Sequence, residues 1–170
     1  MPADSQVSNQ TEADFAGRRD ISVKIQKSFF SGGKETMSMH TVAVMGLGVR
    51  GKIHLHGLLE NPDYYKVVGL CDIDEPKMKA VAEEYHLDDV PLFTDAEEML
   101  KETRPEIFVF VTYPDLRLSV IQLAVKYGVK VISFEKPMAE SLQEAKKIVK
   151  LCHDNGIKAV VCHQQKYLSQ

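Results

Sequence analysis

The sequence predicts an α/β fold, a doubly wound parallel sheet of six strands. Three observations predict it. From Thr41 to Cys162, short apolar runs alternate with longer amphipathic ones, the pattern of a parallel sheet joined by right-handed helical crossovers. The runs Val67-Val-Gly-Leu-Cys71 and Ile107-Phe-Val-Phe-Val111 are apolar almost throughout, as strands covered on both faces should be. A glycine-rich turn, Gly46-Leu-Gly48-Val-Arg-Gly51, joins the first apolar run to the first amphipathic one.

Taken in order, the first strand spans 41–45 and feeds the glycine turn, and a helix is expected over 50–60. Tyr64-Tyr65 precedes the second strand, 66–71, and is expected to pack at the sheet margin. A helix over 75–86 leads to a short strand at 91–93. Asp95-Ala-Glu-Glu98 reads as a capped helix start, where carboxylates are favoured, with the helix over 95–103. The fourth strand, 107–111, precedes a helix over 116–127, in which Leu118, Ile121 and Val125 form an apolar stripe at helical spacing. The fifth strand is expected at 129–134, a helix at 141–155 and the sixth strand at 158–162. Gly128 and Gly156 each follow a helical stretch, where a left-handed residue often ends a helix. The expected strand order is 3-2-1-4-5-6.

Residues 1–38 differ from the rest. They are rich in Ser, Gln, Asp and Gly with little apolar periodicity, and are read as a disordered or loosely attached extension. Within them Ile21-Ser-Val-Lys-Ile25 alternates as an added edge strand would. Residues 39–170 are expected to form the folded domain. The whole chain has 170 residues, 44% apolar and 26% charged, which is the mixture of a soluble globular protein. A net charge of -3 and the absence of a Lys/Arg cluster exclude a phosphate-tracking surface, so no nucleic acid partner is expected. No segment approaches the ~18 apolar residues of a membrane span, and Arg18-Arg19 is not followed by the apolar core of an export signal. Cys71, Cys152 and Cys162 sit in apolar runs without a Cys-x-x-Cys spacing. They read as reduced, buried thiols, and the expected location is cytoplasmic.

The glycine turn carries the chemistry. Gly46 lets the chain turn sharply off the first strand, and Gly48, lacking a Cβ, lets the backbone approach a pyrophosphate. Gly51 lets the next helix pack close to the strand. The N-terminus of that helix presents free N–H groups and a partial positive charge to phosphates, and Leu47, Val49 and Arg50 of the turn are expected to bind the cofactor with the three glycines. Asp72, about twenty residues beyond Gly51 at the end of the second strand, is placed to accept hydrogen bonds from the adenosine ribose. The same carboxylate would repel a 2′-phosphate. Two unit charges at ~4 Å interact by roughly 4 kcal/mol at an effective dielectric of 20, and about 1.4 kcal/mol surviving screening is already tenfold in affinity. NAD is therefore expected over NADP, with Arg50 and Lys77 as the residues able to rescue a 2′-phosphate. The plainer readings are a structural tight turn and an Asp72 or Asp74 that only caps the next helix. His54 and His56, two apart on a helix, point in different directions and do not make a metal pair, so no metal site is expected.

Further motifs follow the fourth and fifth strands: Thr112-Tyr-Pro114 and Glu135-Lys-Pro-Met-Ala139. With these and the glycine turn, the chain from Thr41 to about Tyr167 resembles the glucose–fructose oxidoreductase, myo-inositol dehydrogenase and rhizopine-catabolism (Gfo/Idh/MocA) family. The tail His163-Gln-Gln-Lys-Tyr167 is similar to a looser pattern of that family. The resemblance implies a Rossmann domain of an oxidoreductase that moves a hydride between NAD(P) and a secondary alcohol or carbonyl of a sugar- or inositol-like substrate. It implies that Lys136 sits beside the nicotinamide and hydrogen-bonds the reacting oxygen, as the catalytic residue. Glu135 would lie near the nicotinamide ribose, Thr112 and Pro114 would line the cofactor cleft, and His163 could reach the nicotinamide side. The Lys136–Pro137 bond is a candidate for the cis form.

The chain departs from the family pattern at Arg117, where His is common, and at Lys166, where Arg is usual. It also reaches Gln170 where the family's second α/β domain should begin, so the expectation is a truncated chain, inactive alone, that would be a homo-oligomer only with that domain present. The competing reading is a non-catalytic NAD-sensing regulatory or interaction module.

Overall fold

The computed structural model describes residues 38–163. The expectations for residues 1–37, including the strand at Ile21–Ile25, lie outside the described residues, as do Lys166 and Tyr167 of the last-strand motif. The described residues form β1 (His40–Met45), α1 (Val49–Leu59), β2 (Tyr65–Cys71), α2 (Glu75–Glu84), β3 (Leu92–Phe93) and α3 (Ala96–Thr103). Then come β4 (Ile107–Phe110), a 3-10 turn (Pro114–Leu116), α4 (Arg117–Lys126), β5 (Val131–Glu135), α5 (Leu142–Asp154) and β6 (Lys158–Cys162). All six strands pair in parallel in the order β3-β2-β1-β4-β5-β6. The sequence expectation for fold class, strand number and order is met.

Strand alternation explains why helices cover both faces. Val42 and Val44 of β1, with Ile107 and Val109 of β4, point to one side and pack with Leu55 and Leu58 of α1 and Met78 and Val81 of α2. Ala43, Phe108 and Phe110 point to the other side, with Met99 of α3, Ile121 of α4 and Ile148 of α5. The rings of Phe110 and Phe134 stack there at 5.1 Å, linking β4 to β5. Because α1 leaves β1 to one face and α4 leaves β4 to the other, a crevice opens where these two neighbouring strands end. Open α/β sheets bind ligands at such a switch point.

The helix ends follow local chemistry. The side chains of Asp74, Asp95 and Ser141 accept from the backbone N–H groups of Lys77 (3.0 Å), Glu98 (2.8 Å) and Glu144 (3.2 Å) at the starts of α2, α3 and α5. Gly128 and Gly156 take positive φ after α4 and α5, as expected. Boundaries shift modestly: β3 is confined to Leu92–Phe93 and β5 extends to Glu135. The stretch before α4 tightens into a 3-10 turn that opens on Pro114, which has no N–H to commit to a helical hydrogen bond.

Burial pushes the Cys71 thiol up to about 12, with Asp95 and Asp72 adding to the effect. Cys152 is raised by burial and Cys162 by burial against a Ser133 hydrogen bond. All three cysteines are free thiols. No described helix is long and apolar enough to cross a membrane.

Candidate functional site at the carboxyl edge of the sheet

The glycine turn is held by backbone on two sides. Gly46 has φ +84° and donates its N–H to the Cys71 carbonyl at 2.8 Å, while Val111 N–H donates to the Met45 carbonyl at 2.8 Å. A Cβ on Gly46 would stand 2.1 Å from the Val111 carbonyl oxygen, and one on Gly51 would stand 1.7 Å from the Gly46 carbonyl oxygen. The turn therefore excludes any side chain at either position. Gly48 is different: nothing lies within 4 Å of its missing Cβ. It is the N-cap of α1 without a side-chain cap bond, and the first turn of α1 holds no acidic residue. A glycine cradle open to solvent, over an uncapped helix start, is the arrangement a phosphate group fits. Val49 and Arg50 are exposed beside it. Leu47 is buried in the core below, and its N–H is already donated, at 2.6 Å, to Asp72 Oδ2. Leu47 thus anchors the turn from beneath.

Asp72 is the second part of the site. It is only 7% exposed, and both oxygens are engaged: Oδ2 by Leu47 N–H, Oδ1 by Asp74 N–H at 3.1 Å and by Lys77 Nζ at 2.9 Å. Burial pushes its carboxyl up, but the Lys77 bond and the two backbone donors outweigh burial and hold it below the usual carboxylate range. The helix cap is Asp74, which leaves Asp72 to fasten the glycine turn of β1 to the end of β2. Ile73, next in the chain, is 91% exposed. Such a residue offers an apolar face to a planar ring. The sequence reading missed it because an exposed isoleucine is visible only once burial is known.

The third part lies at the ends of β4 and β5. Thr112 donates its hydroxyl hydrogen to the Tyr113 carbonyl, and Pro114 opens the 3-10 turn. Glu135 ends β5, 6% exposed. Lys136 follows it, exposed, and the Lys136–Pro137 peptide is cis, as expected. His163, beyond β6, is exposed at the same end of the sheet. The topology therefore brings every sequence-selected residue to the carboxyl ends of β1, β2, β4, β5 and β6.

Two side chains that sequence reasoning did not place connect these parts. His54 Nε2, on α1, lies 3.0 Å from Glu135 Oε1, so the helix that opens at the glycine turn also braces the end of β5. His56 turns the other way, toward Glu60 at 3.5 Å. Among the described residues no group of three or more potential metal ligands gathers.

Arg117 is the other. It is 2% exposed, and its Nη2 donates to the carbonyls of Thr112 at 3.3 Å and Lys136 at a long 3.5 Å. Its Nε and Nη1 have no hydrogen-bond partner, and the guanidinium lies 5.6 Å from the Phe134 ring centre. Burial pulls its pKa down, opposed by the nearby Glu135 carboxylate. At the position where the chain departs from the family's His, a buried cation ties the Thr112 and Lys136 loops together. Arg117→Ala is expected to cost about 3 kcal/mol, the scale for breaking a buried charge arrangement. Arg117→Met, which refills the space without a charge, should cost clearly less. Urea denaturation checks both, and an alanine variant as stable as the parent would rule out the clamp.

Comparison with known proteins identifies the family to which this fold belongs. Residues 40–163 match the model of the family GFO_IDH_MocA, described as an oxidoreductase family with an NAD-binding Rossmann fold. A relative in Saccharomyces cerevisiae, uncharacterized protein YMR315W, is 26% identical over 133 residues, covering 78% of this chain and 38% of that protein. The solved scyllo-inositol dehydrogenase of Lactobacillus casei, with NAD(H) and scyllo-inositol bound, superposes with a TM-score of 0.70 at 16% identity over 78% of this chain and 38% of that one. The WlbA dehydrogenase of Bordetella pertussis, in complex with NADH and UDP-GlcNAcA, superposes with a TM-score of 0.68 at 22% identity over 76% of this chain and 38% of that one. At these identities the structural likeness is one of fold, and the chain spans well under half the length of each relative.

Proposed function

The chain belongs to the Gfo/Idh/MocA oxidoreductase family, with its NAD-binding Rossmann fold, and on that premise we propose that it is the cofactor-binding part of an enzyme of sugar- or inositol-like substrates. The reaction is hydride transfer at a secondary alcohol or carbonyl. The observation that carries the reading is the open cradle at Gly48, above the uncapped start of α1 and beside the buried Asp72. A tight turn with only a structural role would need Gly46 and Gly51 but has no use for bare space at Gly48. The substrate class rests on the motif at Glu135-Lys136-Pro137 and on the inositol and UDP-sugar named for the two solved relatives.

NAD, when bound, supplies the hydride acceptor. This chain's residues hold and orient it. The Gly48 backbone and the first N–H groups of α1 hold the pyrophosphate. Arg50 and Val49 flank it. Asp72 would take the adenosine ribose, its charge taken alone favouring NAD over NADP, and Ile73 would cover the adenine. Thr112 and Pro114 line the cleft. Glu135, oriented by His54, meets the nicotinamide ribose, with His163 on the nicotinamide side. Lys136 holds a hydrogen bond to the reacting oxygen and stabilises negative charge that develops there.

A thermal melt tests the binding step. At a concentration about one hundred times its Kd, a ligand stabilises the folded state by about 2.7 kcal/mol, or roughly 5–10 °C for a chain of this size. NAD is expected to raise the midpoint by about that amount. Failure of both NAD and NADP to raise it would overturn the reading of the site.

A further inference from the structure

Building on that reading of the site, we propose that Lys77 sets its choice of dinucleotide, offsetting Asp72 so that the site takes NADP as well as NAD. Asp72 alone would repel a 2′-phosphate, but it does not stand alone. Lys77 Nζ sits 2.9 Å from its Oδ1, so the pair presents little net charge to the ribose position. The Lys77 side chain is 39% exposed and the carboxylate is almost fully buried, so the mobile partner is the lysine.

Hydrogen-bond capacity points the same way. A carboxylate offers about four acceptor positions. Leu47 N–H, Asp74 N–H and Lys77 already occupy three. A ribose with two free hydroxyls asks for two, so NAD can engage Asp72 fully only by displacing Lys77 from Oδ1. The displaced ammonium, on a flexible four-carbon stem with three donors, stays at the ribose edge. There it meets solvent when the 2′ position carries a hydroxyl, and a strong partner when it carries a phosphate. With NAD the displaced ammonium has only water as its partner, whereas with NADP it has the 2′-phosphate, and that contact offsets the repulsion from Asp72.

No other lysine nearby is placed to do this. On α1, Lys52 is paired with Glu84 at 2.6 Å, and on α2, Lys79 is paired with Glu75 at 2.7 Å. Lys77 lies in the first turn of α2, where the helix dipole adds positive potential. Its backbone N–H is held by Asp74, which fixes the stem's origin whatever the side chain does.

The test compares dissociation constants for NAD and NADP in the parent chain and in Lys77→Met and Lys77→Gln, with nucleotide-free melting curves to check that each variant folds. In the parent, NADP is expected to bind no more than about tenfold more weakly than NAD, the factor that ~1.4 kcal/mol of residual repulsion sets. Both variants should raise the NADP-to-NAD ratio of dissociation constants by a further tenfold or more, mainly by weakening NADP. Lys77→Arg should keep the parent ratio. A rise of less than tenfold in the two neutral variants, with NAD still binding, overturns the role of Lys77 and leaves the site reading standing. Binding of neither nucleotide to the parent overturns both.

Discussion

Gly51→Ala is expected to destabilise the chain by about 3 kcal/mol or more, at or beyond the upper end of ordinary overpacking penalties. The added Cβ would stand 1.7 Å from the Gly46 carbonyl oxygen. Backbone cannot yield by rotating a side chain, so α1 must move away from the end of β1. An opposing effect exists: alanine in a helix is favoured over glycine by about 1 kcal/mol. It is too small to win. Gly48→Ala separates folding from binding. Its Cβ would meet no atom within 4 Å, so the midpoint of urea denaturation should stay close to the parent's. It would nevertheless stand in the cradle, and NAD affinity should fall by about tenfold or more, the equivalent of ~1.4 kcal/mol. Urea denaturation and NAD titration on both variants check the pair. A Gly51→Ala chain as stable as the parent would mean that α1 does not pack this closely. Equal NAD affinity in Gly48→Ala would move the pyrophosphate elsewhere.

Lys136→Ala carries the largest expected effect on chemistry. Lys136 is exposed at the carboxyl end of β5, next to the buried Glu135 and above the Arg117 clamp. If it stabilises charge on the reacting oxygen, its loss should lower kcat by about 10²–10³-fold, the usual scale for one such donor. NAD affinity should barely move, because the pyrophosphate and adenosine contacts lie at β1 and β2. The measurement belongs in the longest natural polypeptide that carries this domain, with turnover and NAD binding read on the same sample. A non-catalytic NAD sensor would have no turnover to lose, and its NAD response would ignore the substitution. The two outcomes separate an enzyme from a regulatory module.

Much of this was legible in the sequence because it is written locally. Continuous apolar runs marked buried strands, whereas the assignment of Val42 and Val44 to one face and Phe108 and Phe110 to the other came from the packing. The glycine turn was readable because positive φ and close backbone approach leave few residues to choose from. The family resemblance grouped Thr112, Glu135 and Lys136 at one cleft, and parallel strands, which carry all their carboxyl ends to one edge, are the physical reason such a grouping can form. The contacts that tune the site were not readable. His54 meets Glu135 across 81 positions of sequence, and no periodicity encodes that distance. Arg117 could be a solvated surface residue in any sequence reading, and only packing against Phe134 and the two loop carbonyls makes it a buried clamp. Lys77 was recognisable as a cation within reach of a 2′-phosphate, but not as the partner of Asp72.

The sequence by itself determined the sheet, its two helical layers and the edge at which the site lies. Those follow from side-chain polarity and backbone freedom, properties each residue carries with it. Which charges face one another was decided by the tertiary structure alone. An ion pair or a buried guanidinium depends on the separation of atoms far apart in the chain and on how much water remains between them, and both are set only when the helices close over the sheet.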